Sequence, residues 1–224
     1  MRRFFTFNSL SIVFGLIFLA TLVGQAIAGH ALFNEDAMAH HESTISLGRY
    51  LTSSSFGQAV MENWQSEYLQ FSLYIFGTIY LIQRGSAESK EPGMGGRESD
   101  EDQLVGEHAK PESPRWARVS GTRLFIYSNS LLLLMTAIFI GTWFADSACG
   151  WSAFNQNQIT HHQSTVSYWS YLGASDFWQS TLQNWQSEFL AIGSMAIFSV
   201  YLRQRGSPES KPVGMPHHVT SSAD

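Results

Sequence analysis

Two short polar segments of identical sequence carry side chains suited to acid–base or ligand chemistry. Asn-Trp-Gln-Ser-Glu occupies residues 63–67 and recurs at 184–188, so each segment offers one carboxylate among amide and hydroxyl groups. A pair of adjacent histidines lies 22 residues before each segment. Imidazole and carboxylate groups bind zinc and similar ions, and both exchange protons. The candidate residues are Asn63, Trp64, Gln65, Ser66, Glu67, Asn184, Trp185, Gln186, Ser187 and Glu188, with His40, His41, His161 and His162 as further candidate metal ligands.

These residue types allow three roles for the two carboxylates. In a structural role, Glu67 and Glu188 would cap loop amides or pair with histidine. In a metal site they would join the histidines, but adjacent histidines are not the i, i+4 pair that binds metal on one helix face. The spacing therefore assigns no metal ligand. In the third role the carboxylates bind a proton or a ligand. The sequence favours the structural role.

The sequence contains no motif typical of an enzyme or of a cofactor-binding protein. It has no Gly-rich phosphate loop, no paired thiols and no serine or cysteine nucleophile elbow. The single Cys149 permits no internal disulfide. We therefore predict a protein without enzymatic activity and without a cofactor.

The two polar segments belong to a repeat that covers nearly the whole chain. An offset of 121 residues aligns them without a gap, and it also pairs Gln83-Arg84-Gly85-Ser86 with Gln204-Arg205-Gly206-Ser207. A register kept over about 90 residues indicates duplication. The segment between the repeats is rich in Gly, Glu, Ser and Pro, which predicts a flexible linker. We place the first repeat at 1–92, the linker at 93–121, the second repeat at 122–213 and a disordered tail at 214–224.

Each repeat contains two segments that we predict to cross a membrane as helices. Leu10–Ala28 and Leu124–Ala145 are uncharged over about 20 residues, and at about 1.5 Å per residue they match a hydrocarbon layer of roughly 30 Å. The helices that carry Glu67 and Glu188 form the second span of each repeat. The predicted fold class is an all-α membrane protein, with four transmembrane helices forming two tandem-repeated helical hairpins of parallel pseudo-two-fold symmetry. The predicted spans are about 8–28, 60–83, 124–145 and 181–203.

The basic residues flank these spans asymmetrically. Of 13 Lys and Arg residues, only Arg49 falls in a segment assigned to the outer side. By the positive-inside rule the termini and the linker are cytoplasmic, and residues 29–55 and 146–175 face outward. Charges that flank spans do not form a nucleic-acid-binding surface. We predict a multi-pass protein of the bacterial cytoplasmic (inner) membrane, whose partners are the lipid bilayer and either another copy of the chain or another membrane protein.

The first 28 residues also have the pattern of a secretory signal. A basic start and an apolar stretch lead to Ala26-Ile27-Ala28, which has the form of a cleavage site. The repeat argues against cleavage, because the matching segment, Arg123 to Gly150, is internal and must span. We expect residues 1–28 to be retained in the mature protein.

The ends of the second span in each repeat are predicted from capping residues. A capping box at Ser55 starts one helix near Phe56, and Asp176 starts the other near Phe177. The preceding segment 29–55 lacks a helical period and is predicted to be mainly loop with a short helical turn. After each span, Gly85 or Gly206 is expected to take the left-handed conformation that closes a helix. The Arg-Gly-Ser-x-Glu-Ser-Lys sequence is therefore interpreted as a stop anchor in preference to a docking site.

A polar stripe follows one face of the first of these helices. Asn63, Glu67, Gln70 and Tyr74 share that face and could line a water-filled path. In the second repeat Gln70 is replaced by alanine and Tyr74 by methionine, which weighs against a symmetric pore. Counting back from Arg84 places Glu67 about 25 Å from the cytoplasmic interface, at the outer edge of the hydrocarbon.

Two motifs together resemble a known family. Asn-Trp-Gln-Ser-Glu-Phe-Leu at 184–190, followed by Arg-Gln-Arg-Gly-Ser-Pro-Glu-Ser-Lys at 203–211, is similar to small bacterial membrane proteins classed as a domain of unknown function. The likeness covers both repeats, although the first has Tyr68 and Ala87 where the second has Phe189 and Pro208. The resemblance implies a location in the bacterial inner membrane and does not imply any particular biochemical activity. The predicted function is a structural or interaction protein of that membrane; the alternative is a small transporter, channel or ion-binding protein using outward-facing Glu and His residues.

Overall fold

The computed structural model describes residues 2–220, and within them all regular structure is helical. Helices of nearly equal length follow one another in the same order in both halves of the chain. The first half contains α1 (Arg2–Phe7), α2 (Ser9–Ala39), α3 (Leu47–Leu51) and α4 (Ser54–Tyr80), and the second contains α5 (Thr122–Ser128), α6 (Ser130–Thr160), α7 (Tyr168–Leu172) and α8 (Ser175–Tyr201). Two short 3-10 helices, Gly106–His108 and Arg115–Arg118, lie between the halves.

Helices α2 and α6 are long and apolar enough to cross a membrane. Each has 31 residues, with a mean hydropathy of 2.2 for the most apolar part of α2 and 1.7 for that of α6. Helices of this length and composition could span the hydrocarbon layer. The more polar α4 and α8 have 27 residues each, about 40 Å of helix, and their crossing of the membrane stays a prediction.

The prediction that residues 29–55 are mainly loop is wrong, because α2 continues to Ala39. The chain then leaves the helix through two backbone hydrogen bonds, from His41 N to Met38 O at 3.1 Å and from Glu42 N to Ala37 O at 2.7 Å. His41 has a left-handed φ of 61°, and together these features form a Schellman ending. Helix α6 ends in the same way at His162, with a φ of 55°.

Helices α4 and α8 begin within two residues of the predicted starts, but their caps differ from the predicted ones. Ser53, and not Ser55, caps α4, because its Oγ accepts from Phe56 N at 3.2 Å. Helix α8 has Ala174 at the cap position without a side-chain cap bond, and Asp176 lies in its first turn. An acidic side chain there still interacts favourably with the helix dipole.

The chain divides into two compact units. The first is Met1–Val60 with Ala145–Tyr168, and the second is Met61–Phe144 with Trp169–Asp224. In the first unit, Tyr50 is buried and its ring lies 5.4–5.8 Å from the rings of His30, Phe33 and Phe56. In the second unit, the Trp143 ring of α6 lies 6.2 Å from that of Phe177 and 6.5 Å from those of Trp178 and Trp185 of α8.

An asparagine in the first unit holds the chain that follows α2. The Asn34 side chain donates to Ile45 O at 3.0 Å and accepts from Ile45 N at 2.9 Å, and His30 Nε2 lies 2.7 Å from the same oxygen. Asn155 makes the equivalent pair with Val166, at 3.0 and 2.8 Å. The repeat therefore includes a side-chain clamp that fixes the connection after each long helix.

Removal of this clamp is expected to destabilise the fold. Asn34→Ala leaves a part-buried backbone N–H and C=O without that side-chain partner, and Asn155→Ala does the same at Val166. Each substitution is expected to cost about 2 kcal/mol. Thermal unfolding in detergent measures the effect, with the exposed Asn157→Ala as the control. Equal melting temperatures for Asn155→Ala and Asn157→Ala would contradict a stabilising clamp.

Candidate functional site

The two polar segments lie against each other in the second unit, where α4 and α8 run side by side. Trp185 Nε1 donates to Gln65 Oε1 at 2.8 Å, and Ser66 Oγ donates to Glu188 Oε1 at 3.3 Å. Glu62 accepts from Asn184 Nδ2 at 2.8 Å and also from the Ser180 hydroxyl. The hydrogen-bonded partners are 118–122 residues apart in sequence, close to the repeat offset of 121, so each residue faces nearly its own equivalent. The two helices are therefore parallel, and their polar segments lie at the same level.

Gln70 bridges the two candidate carboxylates. Its amide makes favourable contacts on both sides when its nitrogen faces them, and in that orientation it donates to Glu188 Oε2 at 2.9 Å and to Glu67 Oε2 at 3.3 Å. The opposite orientation would point the amide oxygen at both carboxylates. Glu188 is half-buried and Glu67 is more exposed. Two carboxylates held by one donor repel each other when both are charged, so the pair favours uptake of a proton or a cation.

Gln70 also lines a cavity of about 270 Å³ between α4 and α8. The wall from α4 is partly polar and the wall from α8 is apolar. Tyr74 lies in the wall from α4, and its hydroxyl donates to Glu88 Oε2 at 3.3 Å. The full lining is Gln70, Phe71, Tyr74, Glu88, Ala191, Ile192, Met195 and Glu209. One amide thus contacts the carboxylate pair and faces the cavity.

Two further carboxyl groups, those of Glu88 and Glu209, also line this cavity. Burial raises the pKa of Glu88, the neighbouring Glu209 raises it further, and the hydrogen bond from Tyr74 opposes the rise. Glu209 also lines a neighbouring cavity of about 340 Å³ together with Arg203 and Gln204.

The Arg-Gly-Ser-x-Glu-Ser-Lys turn holds each of these glutamates in place. Ser86 Oγ accepts from Glu88 N at 3.1 Å, and Ser207 Oγ accepts from Glu209 N at 3.2 Å. The helices end at Tyr80 and Tyr201, earlier than predicted, and the left-handed glycines, Gly85 (φ 86°) and Gly206 (φ 88°), lie in the turns that follow. Sequence reasoning missed Glu88 and Glu209 as site residues, although the repetition of the glutamate within this turn was a signal.

The lysine that ends each motif hydrogen-bonds to the backbone of the segment that follows it. Lys90 Nζ donates to Gly96 O at 2.8 Å and pairs with Glu98 at 2.7 Å. Lys211 is almost fully buried, and its Nζ donates to three backbone carbonyl oxygens at 2.9–3.4 Å, those of Pro216, His217 and Val219. The segment predicted as a tail is thus hydrogen-bonded to the motif as far as residue 219, and residues 221–224 lie outside the described chain.

The histidine pairs lie in the first unit, where the first histidine of one pair contacts the first histidine of the other. The rings of His40 and His161 are 5.4 Å apart in an edge-to-face arrangement, and His40 Nδ1 lies 3.5 Å from Asp36 Oδ1. His41 and His162 instead occupy the left-handed positions that end α2 and α6. Within residues 2–220, no three His, Cys, Asp or Glu side chains are grouped as a metal site requires. The structure therefore gives the candidate metal ligands no common site.

The raised pKa of Glu88 predicts that the thermal stability of the protein depends on pH. Because the pKa of Glu88 is raised in the folded protein, folding favours the protonated carboxyl group. The protein therefore has its full stability below the ordinary carboxyl pKa and loses the contribution of Glu88 as pH rises through the raised pKa. Glu88→Gln removes this dependence, so it is expected to raise Tm by about 2 °C at pH 8 and to leave Tm unchanged at pH 4. The exposed Glu91→Gln serves as the control. A lower Tm for Glu88→Gln at pH 8 would contradict the assignment.

Comparison with known proteins identifies a family. A family model described as Domain of unknown function (DUF6766) matches residues 1–222. No curated protein and no solved structure matches the chain.

Proposed function

We propose that this chain, which belongs to the DUF6766 family, is a four-span protein of the bacterial cytoplasmic membrane that conducts protons between α4 and α8. The resemblance of its motifs to small bacterial membrane proteins and the long apolar α2 and α6 support the membrane location. The positions of Lys and Arg support cytoplasmic termini. The equal order of helices in the two halves supports two hairpins related by a pseudo-two-fold axis.

The packing of α4 and α8 supports their placement within the bilayer. Their polar segments face each other, and Gln65 and Ser66 are almost completely buried. In lipid, polar side chains that hydrogen-bond across helices hold the helices together and avoid contact with hydrocarbon. Exposed phenylalanines and leucines, such as Phe71 and Leu73 of α4 and Phe189 and Leu190 of α8, give these helices apolar outer faces.

One observation carries the proton-conducting role: Gln70 lies between two pairs of carboxyl groups. On one side its amide bridges Glu67 and Glu188, and on the other it faces the cavity that Glu88 and Glu209 also line. A cavity of about 270 Å³ has room for several water molecules, at about 30 Å³ each. Carboxyl groups and water together form a relay of the kind found along proton pathways in membranes.

The asymmetry between the repeats is compatible with such a path. Ala191 and Met195 replace the polar residues of the stripe in α8, which argued against a symmetric pore. Both residues line the cavity opposite Gln70 and Tyr74. We infer that α4 supplies the polar wall and α8 an apolar wall, so that one path serves both repeats.

Proteoliposomes test the proposal. A potassium diffusion potential set with valinomycin should drive protons into vesicles that contain the protein, and an internal pH-sensitive dye should report acidification faster than in protein-free vesicles. The variant Glu67→Gln/Glu188→Gln, incorporated in equal amount, should match the protein-free rate. Equal rates for the wild type and for empty vesicles would reject the proposal and leave the structural or interaction role.

A further inference from the structure

Another cavity of the second unit lies where the cytoplasmic edge of the bilayer is predicted. It has a volume of about 480 Å³, which is typical of sites for small ligands, and it shares no residue with the cavity between α4 and α8. Ile79, in the last turn of α4, lines it together with one face of α5. The segment that follows Lys90 supplies the rest of the lining. The cavity is therefore separate from the proposed proton path.

Four charged side chains line this cavity, and two of them have no charged partner. Lys90 and Glu98 form an ion pair at 2.7 Å and so neutralise each other. The Arg97 guanidinium and the Asp100 carboxylate make no ion pair and no side-chain hydrogen bond with any residue that the structure describes. The cavity thus offers one unpaired positive and one unpaired negative group. A ligand that carries both charges matches this arrangement better than an ion of a single sign.

Much of the remaining lining is apolar. Phe125 is 53% exposed although it lines the cavity, so the apolar part of the site continues onto the surface. Beside it, Trp116 is 51% exposed and its ring lies 6.3 Å from that of Tyr127, as is typical of aromatic residues at a membrane interface. A small water-soluble zwitterion would leave these apolar groups uncovered, whereas an acyl chain covers them. The apolar lining residues are Ile79, Val105, Leu124 and Phe125.

We propose that this cavity binds the headgroup of a phospholipid that carries both a phosphate and a primary ammonium group, as phosphatidylethanolamine does. Arg97 binds the phosphate, because a guanidinium donates two parallel hydrogen bonds to phosphate oxygens. Asp100 accepts a hydrogen bond from the ammonium group. The acyl chains lie against the apolar lining. This site rests on the proposed membrane placement and is independent of proton conduction.

The two unpaired charges disfavour two other headgroups. Phosphatidylglycerol has a phosphate but no cation, so Asp100 repels it. Phosphatidylcholine has a cation, but its trimethylated nitrogen has no N–H to donate to Asp100. An exposed ion pair changes affinity by up to about fivefold, which sets the expected preference for phosphatidylethanolamine.

Native mass spectrometry of the full-length protein in detergent measures this preference, with the three lipids added separately at equal concentration and with matched acyl chains. The wild type is expected to retain phosphatidylethanolamine about fivefold better than the other two lipids. Asp100→Asn and Arg97→Gln are expected to abolish this preference. The controls are Glu101→Gln and Arg115→Gln, which change exposed charges outside the lining and should behave as the wild type.

Glycerophosphoethanolamine distinguishes a lipid from a soluble ligand, because it has the same headgroup without acyl chains. At the concentration of the lipid it should not displace bound phosphatidylethanolamine, since it cannot cover the apolar lining. Complete displacement would overturn the assignment of a lipid as the occupant.

A bulky residue at Ser128 tests the cavity without changing a charge. Ser128 lines the cavity, and the repeat offset maps it onto Phe7 of α1, so a helix of this chain already carries phenylalanine at the equivalent position. Ser128→Phe is expected to lower retention of phosphatidylethanolamine about fivefold. Ile126→Phe, on the same helix but outside the lining, is the matched control and should retain the lipid.

Two results would overturn the lipid site alone. One is equal retention of the three lipids by wild-type protein extracted from membranes, and the other is equal retention of phosphatidylethanolamine by Ser128→Phe and Ile126→Phe. Recovery of the wild type outside the membrane fraction would overturn the membrane placement and the lipid site together.

Discussion

Glu188→Gln is expected to lower the proton flux of reconstituted protein about 100-fold, the loss typical of removing a group that takes up and releases the transferred proton. Glu188 accepts hydrogen bonds from Ser66 and Gln70, so an isosteric amide keeps the size of the side chain but has no carboxyl group to titrate. The rate of acidification in valinomycin-polarised proteoliposomes, normalised to the amount of incorporated protein, measures the effect.

The matched control for this variant is Glu62→Gln. Glu62 is also half-buried on the same helix pair, and it also accepts hydrogen bonds from α8, through Ser180 and Asn184. It is not one of the two carboxylates that Gln70 bridges, and it is not among the residues that line the cavity. We expect Glu62→Gln to retain a flux within about twofold of the wild type, because Glu62 lies outside the set of carboxyl groups that Gln70 and the cavity connect. An equal loss in both variants would indicate that the glutamates act by holding the helices together.

Gln70→Leu is expected to lower the flux about tenfold with the carboxyl groups unchanged. The Gln70 amide contacts Glu188 at 2.9 Å and lines the cavity, so leucine removes the polar connection between the two carboxyl pairs while preserving the bulk. Hydrogen bonds to charged groups contribute about 1.5–3 kcal/mol, and loss of one raises the barrier for proton transfer by a comparable amount. Initial rates at several membrane potentials give the ratio to the wild type.

Phe71→Leu provides the comparison for this second variant. Phe71 follows Gln70 in sequence and lines the same cavity, but its ring is apolar. A smaller side chain there enlarges the cavity without interrupting the polar connection, so the flux should stay near the wild-type value. A greater loss in Phe71→Leu than in Gln70→Leu would show that cavity shape, and not the amide, controls the rate.

The helical class and the starts of α4 and α8 could be predicted because they depend on local signals. Long uncharged runs predict helices, and serine or aspartate before an apolar run predicts a helix start. The helical extension of α2 to Ala39 was missed because the polar residues there lack an apolar period. The left-handed φ of His41 and His162 was also unexpected, since glycine or asparagine usually ends a helix in this way.

The candidate site could be predicted only in part, because it depends on contacts between the repeats. The repeated motif identified Glu67 and Glu188, and the polar stripe included Gln70 and Tyr74. No local pattern shows that Gln70 reaches a carboxylate of the other repeat. Glu88 and Glu209 were assigned to a helix-terminating turn, and the structure shows that this turn places both of them along the cavity that Gln70 lines.

The structural or interaction role remains the alternative to proton conduction. It predicts that the glutamate variants change thermal stability or recovery of a partner and leave vesicle permeability at the protein-free level. A measurement of ion movement distinguishes the two roles.

The reversal potential of the protein-dependent current tests proton conduction most directly. Planar bilayers containing the wild-type protein should be recorded with equal salt on both sides and different pH. If protons carry the current through the path between α4 and α8, the reversal potential should shift by ~59 mV for each pH unit of gradient, as expected for one charge per proton. A reversal potential that stays at zero, or the absence of any protein-dependent current, would contradict the proposed function.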